Sequence, residues 1–159
     1  MTTEKIARKI IKKLLSNHNT TYIKRLNRLT FESICNVNII PFDQLDSNTR
    51  INIRSVFPNY RGIKYHLNEV IRELQKDKTS RRAIIPVFNR YHMHCTVAIQ
   101  VLIRHNKLNM IVFARSVDAE NKMINDLNVY NYIANKIAKK LDIEKNILYY
   151  VVGSLHIYE

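Results

Sequence analysis

Tryptophan is absent from this chain of 159 residues, and glycine and cysteine occur only twice each. Two cysteines, Cys35 and Cys95, are too few for a disulfide framework, so we expect both thiols to be free. No apolar run approaches the roughly 20 residues that a membrane-spanning helix needs. The first residues also lack the apolar core of a signal peptide, because lysine and arginine interrupt them. Together these absences predict a soluble, cytoplasmic protein.

Acidic side chains are also scarce, since 13 of them stand against 26 lysines and arginines. The net charge of +13 favours an anionic partner, such as a nucleotide phosphate, a nucleic acid or an acidic membrane surface. Residues 1–16 are predicted to carry a basic amphipathic helix over residues 3–16, with isoleucines and leucines on one stripe. This helix either packs on the domain or contacts a membrane or nucleic acid.

Hydrophobic residues make up 46% of the chain, which is enough for a buried core in a single domain over residues 1–159. The apolar spacing predicts strands at 29–40, 83–88, 94–103, 108–115 and 147–158, and helices at 3–16, 63–76 and 118–141. Residues 41–62 are predicted to form a long loop with one short element near 51–56. This order predicts an α/β (α+β) domain with a mixed or mostly antiparallel sheet flanked by helices.

The strand predicted at 94–103 places Cys95 on one face together with Val97, Ile99, Val101 and Ile103. A lone cysteine is most often a small core residue. His92 and His94 lie close by in sequence, but on a strand they face the side opposite to Cys95. We therefore expect no metal site there.

Four short fragments nevertheless point to chemistry. They are Ser80-Arg81-Arg82 after a helix, Cys95 with Gln100 five residues later, Arg115-Ser116-Val117-Asp118 after the hairpin, and His156-Ile157-Tyr158. Each fragment has an ordinary structural interpretation, such as a solvated turn, a helix cap or surface residues of an edge strand. Those interpretations do not explain why all four occur in this order.

In this order and at these spacings, the fragments resemble the thymidylate synthases and the related deoxycytidylate hydroxymethylases. The resemblance covers about residues 63–159 and implies the fold of that family, a homodimer and a pyrimidine nucleoside monophosphate as substrate. It also implies methylation or hydroxymethylation at C5, with 5,10-methylene-tetrahydrofolate as the donor. Methyl and hydroxymethyl products both stay open, as do dCMP, CMP and dUMP as substrates.

The resemblance also implies roles for single residues. The Cys95 thiolate would add to C6 of the pyrimidine, which turns C5 into a carbon nucleophile. Arg115 would favour the thiolate as a nearby cation. Arg115 and Ser116 would hold the nucleotide phosphate, a task that suits the planar guanidinium.

The remaining fragments would complete the nucleotide site in the same way. By resemblance, Arg81 and Arg82 reach across a dimer interface to the phosphate in the partner's site. His156 and Tyr158 would hydrogen-bond the sugar hydroxyl. Asp118 would face the folate and the base.

Asp126 lies where thymidylate synthases carry asparagine, and it resembles the aspartate of the cytidylate hydroxymethylases. A protonated carboxyl, or a carboxylate that faces a protonated N3, matches the 4-amino group and N3 of cytosine. Asp126 therefore favours cytidylate over deoxyuridylate. The ordinary alternative is an exposed aspartate on a helix.

Several features of the family are missing. The family's Leu-Gly-x-Pro-Phe is replaced by residues 121–125, which have neither glycine nor proline. The family also uses tryptophans and a glutamate upstream of its arginine pair, whereas residues 41–62 contain only Asp43 and Asp46 as acids. The nucleotide half of the site is thus retained and the folate half is reduced. A catalytically inactive relative that binds a nucleotide or nucleic acid through Arg81, Arg82 and Arg115 is therefore the alternative function.

Overall fold

The computed structural model describes residues 2–16, 21–25, 28–46, 51–57, 60–87 and 94–158. Its helices are α1 (Thr3–Ser16), α2 (Ile53–Val56), α3 (Tyr60–Lys76) and α4 (Met123–Leu141), with a short 3-10 turn at Phe42–Gln44. Its strands are β1 (Thr21–Arg25), β2 (Arg28–Pro41), β3 (Ile84–Pro86), β4 (Thr96–Arg104), β5 (Lys107–Asp118) and β6 (Glu144–Tyr158). The predicted α/β class is confirmed.

The described strands form one mixed sheet in the order β1-β2-β6-β5-β4-β3. Strands β5 and β6 are parallel, and every other neighbouring pair in this order is antiparallel. A parallel pair needs a long crossover connection, and α4 provides it. The β4–β5 hairpin turns at His105 and Asn106, which both have positive φ, as a tight two-residue hairpin turn requires.

Helices α1, α3 and α4 pack on one face of this sheet. In α1 the buried residues Ile6, Ile10 and Leu14 recur at helical spacing and point to the core. The lysines of α1 stay exposed, so the helix packs on the domain as one of the two interpretations predicted. Contact of its basic face with nucleic acid stays a prediction.

The opposite face of the sheet, called here the outer sheet face, is also largely apolar. One row across it consists of the register partners Ile39, Tyr149, Ile111, Gln100 and Ile84, and the next row consists of Val37, Val151, Phe113, Ala98 and Pro86. Ile39 is 63% exposed and Phe113 is 43% exposed, so their apolar surface meets solvent in the single chain. Adjoining exposed apolar rows mark an interaction surface.

The helix predicted over 118–141 is wrong at its start, because α4 begins at Met123 and residues 119–122 form a turn. Strand β1 was not predicted. The short element predicted near 51–56 is confirmed as α2, whereas α3 begins at Tyr60, three residues before the predicted start at 63. Strand β1 depends on its pairing with β2, and the turn before α4 depends on hydrogen bonds to the Asp118 side chain, neither of which the apolar spacing reveals.

Candidate functional site

The β4–β5 hairpin brings Arg115 next to Cys95. The backbone N–H of Arg115 donates to the carbonyl oxygen of Cys95 at 2.8 Å. The Arg115 side chain reaches in the same direction, since its Nε donates to the carbonyl oxygen of His94 at 3.2 Å. Cys95 and Arg115 are both exposed, so the backbone pairing places a cysteine and an arginine next to each other at an accessible surface.

The face predicted for Cys95 is wrong. The register between β4 and β5 shifts between Thr96 and Ala98, which is a β-bulge. Because the extra residue reverses the alternation, Thr96 is buried at 2% exposure and Cys95 is exposed. The bulge thus turns the thiol out of the core, where it would be inert, and toward solvent.

Gly153 allows β6 to approach the strand that carries Arg115. A Cβ atom added at Gly153 would lie 2.8 Å from the carbonyl oxygen of Arg115, closer than real Cβ atoms come. Sequence reasoning missed this residue. The signal was available, because a glycine inside a strand often marks a close backbone approach.

Asp126 lies in the first turn of α4 and is buried, with 7% exposure. The alternative of an exposed helical aspartate is therefore excluded. Burial raises the pKa of this carboxyl to about 7, even though Lys122 and a hydrogen bond with Asn125 act in the opposite direction. At neutral pH the carboxyl is consequently divided between its protonated and ionised forms.

The buried side chain of Tyr130 lies close to both Asp126 and Cys95. The Tyr130 hydroxyl lies 2.7 Å from Thr96 Oγ1 in a hydrogen bond inside the core. Burial raises the pKa of Tyr130 well above its ordinary value, and negative charge on Asp126 or Cys95 raises it further. Both residues therefore lie near the same hydroxyl, which stays neutral.

Tyr150 packs beside Tyr130, with ring centroids 5.5 Å apart. Its hydroxyl is also buried and lies near that of Tyr130, but it meets no partner of hydrogen-bond geometry among the described residues. Sequence reasoning placed Tyr130 only on the apolar face of a helix and did not recognise Thr96. Nothing in the sequence spacing of Thr96 and Tyr130 indicates that their hydroxyls form a hydrogen bond.

Asp118 and His156 are direct register partners at the ends of β5 and β6. His156 is buried and its ring packs edge-on against Tyr158, with centroids 5.0 Å apart. The Asp118 carboxylate accepts hydrogen bonds from the backbone N–H groups of Glu120 (3.2 Å) and Asn121 (3.1 Å) and from the Asn121 side chain (2.9 Å). Asp118 therefore also organises the turn before α4. Ser116, on the same strand, lies opposite Ser154.

Arg81 and Arg82 follow a hydrogen-bonded turn after α3. Ser80 Oγ donates to Glu73 at 2.6 Å and accepts the N–H of Arg82 at 3.1 Å. Gln100 donates to the carbonyl oxygen of Arg81 at 2.9 Å. Both guanidinium side chains are exposed, and Arg82 lies within electrostatic reach of Asp77.

No group of three metal-binding side chains occurs within the described ranges. His92, which was considered for zinc, lies outside those ranges. None of the helices described is long and apolar enough to cross a bilayer.

Comparison with models of protein families gives a match to the family described as thymidylate synthase, over residues 12–159. The match begins well before residue 63, where the resemblance was expected to start, so it includes β1, β2 and the whole stretch predicted as a loop over 41–62. A search of curated proteins gives no match.

Proposed function

The chain belongs to the thymidylate synthase family, and on this premise we propose that it transfers a one-carbon unit to C5 of a pyrimidine nucleoside monophosphate. The observation that supports this most strongly is the bulge that exposes Cys95 beside Arg115. A nucleophile that adds to a ring carbon must be accessible, and a phosphate-bearing substrate needs a cation close by.

In the proposed reaction the Cys95 thiolate forms a bond to C6 of the pyrimidine ring. The electron pair of the C5–C6 double bond then makes C5 nucleophilic, so that C5 can bond to the one-carbon unit. Loss of the C5 proton and cleavage of the bond between the one-carbon unit and its donor would leave a methylene group on C5. Addition of hydride to this group would give a methyl product, and addition of water would give a hydroxymethyl product. Departure of the Cys95 thiolate would then restore the C5–C6 double bond. Arg115 and Ser116 would bind the phosphate, and His156 and Tyr158 the sugar hydroxyl.

Methylene-tetrahydrofolate, which this family generally uses, would supply the one-carbon unit. Asp118 is the described residue best suited to contact it. A carboxylate offers about four acceptor positions, and the turn occupies three of them. About one position therefore remains for an N–H of the pterin ring. Tryptophan, which would stack on such a ring, is absent from the whole chain.

Asp126 would read the base, and we propose that it prefers cytosine. Its carboxyl is partly protonated at neutral pH, so it can both donate to N3 and accept from the 4-amino group. Attack at C6 makes N3 of cytosine more basic, and the carboxyl can then give its proton to N3. In uracil the same attack places negative charge on O4, which an ionised Asp126 would repel.

A homodimer would complete the site if Arg81 and Arg82, which are exposed, bind the phosphate in the partner's site as the family resemblance implies. The outer sheet face supports this proposal through its adjoining rows of exposed apolar side chains. A second copy packed on this face would remove that surface from water.

The second candidate function is binding of a nucleotide or nucleic acid without turnover. The net charge of +13 and the exposed side chains of Arg81, Arg82 and Arg115 favour it. Such a protein would use the phosphate contacts and have no need for the thiol.

Exchange of the C5 proton distinguishes the two functions. The purified protein is incubated in deuterated water with dCMP, CMP or dUMP, with and without methylene-tetrahydrofolate, and C5 is followed by NMR. Cys35→Ala is the matched control for Cys95→Ala, because both cysteines are free and exposed. We expect exchange in the wild type and in Cys35→Ala, and none in Cys95→Ala. Nucleotide binding without exchange in any variant would favour the binding function.

A further inference from the structure

The residue after Cys95 is fixed to helix α4 by a buried side-chain hydrogen bond. Thr96 is 2% exposed and Tyr130 is fully buried, and their hydroxyl oxygens are 2.7 Å apart. Buried hydroxyl groups need a partner, because one that is taken from water without a replacement bond is costly. This bond satisfies both groups and joins two elements that are 34 positions apart in the chain.

The bond acts at the point where the β4–β5 ladder is irregular. The bulge between Thr96 and Ala98 interrupts the backbone register next to Cys95. Before the bulge, the Cys95 carbonyl holds the chain through its bond to the Arg115 N–H. At the bulge, Thr96 connects the start of β4 to helix α4 through the hydrogen bond between its side chain and Tyr130.

The helix that receives this bond also carries Asp126, one turn before Tyr130. The Thr96–Tyr130 bond therefore links the strand end that bears the thiol to the helix that bears the carboxyl. In the proposed reaction one ring must meet both groups, C6 at Cys95 and N3 at Asp126. Rigid placement of reacting groups contributes strongly to rate, and displacements of about 1 Å can be costly.

We propose that Tyr130 is a positioning residue for this reaction, which holds Cys95 at the correct distance from Asp126 through the hydroxyl of Thr96. The proposal rests on the proposed function. It assigns Tyr130 no contact with the substrate and no proton transfer, since its hydroxyl is buried within the core.

The chain contains a matched control. Tyr150 is buried beside Tyr130 and has the same size, and its hydroxyl lies near that of Tyr130 but makes no hydrogen bond to Thr96. Tyr130→Phe and Tyr150→Phe thus remove the same atom from the same part of the core. Only the first substitution breaks the bond to Thr96.

The test measures steady-state transfer, or C5 exchange, for Tyr130→Phe, Tyr150→Phe, Thr96→Val, Thr96→Ser and the double variant Tyr130→Phe/Thr96→Val. We expect kcat of Tyr130→Phe to fall at least about tenfold, with KM changed less than about twofold. Thr96→Val should show the same loss, and Thr96→Ser should retain activity because it keeps the hydroxyl. The double variant should lose no more than either single variant, as expected for two partners of one bond.

A second readout does not depend on catalysis. In a Cys35→Ala background, the rate of Cys95 alkylation by iodoacetamide should change at least about threefold in Tyr130→Phe and stay constant in Tyr150→Phe. Equal effects of the two tyrosine variants on both readouts would overturn the proposal, and so would losses that add in the double variant. If the wild type shows no transfer or exchange, the proposed function fails, while the alkylation rates still decide whether Tyr130 positions Cys95.

Discussion

Replacement of Asp126 by asparagine should make the protein less sensitive to alkaline pH. The carboxyl is buried, and its pKa rises from 3.8 to about 7 on folding, mainly because burial disfavours the charged form. The unfolded chain therefore gives up this proton at a lower pH than the folded chain does. Stability linked to this group is complete below pH 3.8 and is lost as the pH rises through about 7.

The size of the effect follows from the two pKa values. Each unit of difference is worth about 1.4 kcal/mol, so relative to strongly acidic pH the free energy of unfolding is lower by about 1.5 kcal/mol at pH 5, where only the unfolded chain is ionised, and by about 4 kcal/mol at pH 8. The wild type thus loses roughly 2.5 kcal/mol over this interval through this one group. An asparagine, which has nearly the same shape and no charge, does not contribute that loss.

Urea denaturation at several pH values between 5 and 8 measures the free energy of unfolding of both proteins. The difference in stability, Asp126→Asn minus wild type, should grow by roughly 2.5 kcal/mol across this range. Asp43→Asn is the control, because its carboxyl is exposed. If the difference in stability between Asp126→Asn and wild type changes by less than about 0.5 kcal/mol between pH 5 and pH 8, the link between burial and ionisation is refuted.

Three further predictions concern the close approach, the outer sheet face and the base. Gly153→Ala should destabilise the fold by about 1–3 kcal/mol in urea denaturation, because the new methyl group meets the Arg115 backbone. The control is Gly62→Ala, which should be neutral or stabilising because Gly62 lies in helix α3. Phe113→Lys should convert a dimer into a monomer in light scattering, whereas a Tyr65→Lys control on α3, away from the sheet, should not; a wild type that is monomeric at all concentrations would contradict this. The kcat/KM for cytidylate, taken relative to that of Asp126→Asn, should fall up to about tenfold from pH 6 to pH 8, because the ionised carboxyl can no longer donate to N3. A ratio that stays constant over this range would contradict the proposed role of Asp126.

Much of the fold could be predicted from periodicity alone. Helix α1 has the predicted bounds, and the β4–β5 hairpin was evident from alternation around a short polar turn. The long strand β2 was also evident from its β-branched and apolar residues. These elements follow local rules, since one face of each is buried against the core. Strand β1 and the true start of α4 were missed, because β1 is defined by pairing with β2 and the turn before α4 by the side chain of Asp118.

The sequence predicted which residues belong to the candidate site, but it predicted their burial and contacts only in part. The family motif located Cys95, Arg115 and Asp126 in sequence, and the family match is consistent with that resemblance. Neither the burial of Asp126 nor the bond between Thr96 and Tyr130 could be read from spacing. Both depend on how α4 packs against the sheet, which joins positions far apart in the chain.

The bulge at Val97 explains why strict alternation failed where the chemistry is proposed to occur. Alternation would bury Cys95 with Ile99 and Val101, where a thiol is a small apolar residue without access to a substrate. One extra residue reverses the faces, so that the thiol is exposed and Thr96 enters the core. A buried threonine hydroxyl then needs a partner, and Tyr130 supplies it. An exposed nucleophile at this position thus requires a buried polar pair behind it, and for that reason we expect Thr96 and Tyr130 to tolerate substitution less well than their distance from solvent suggests.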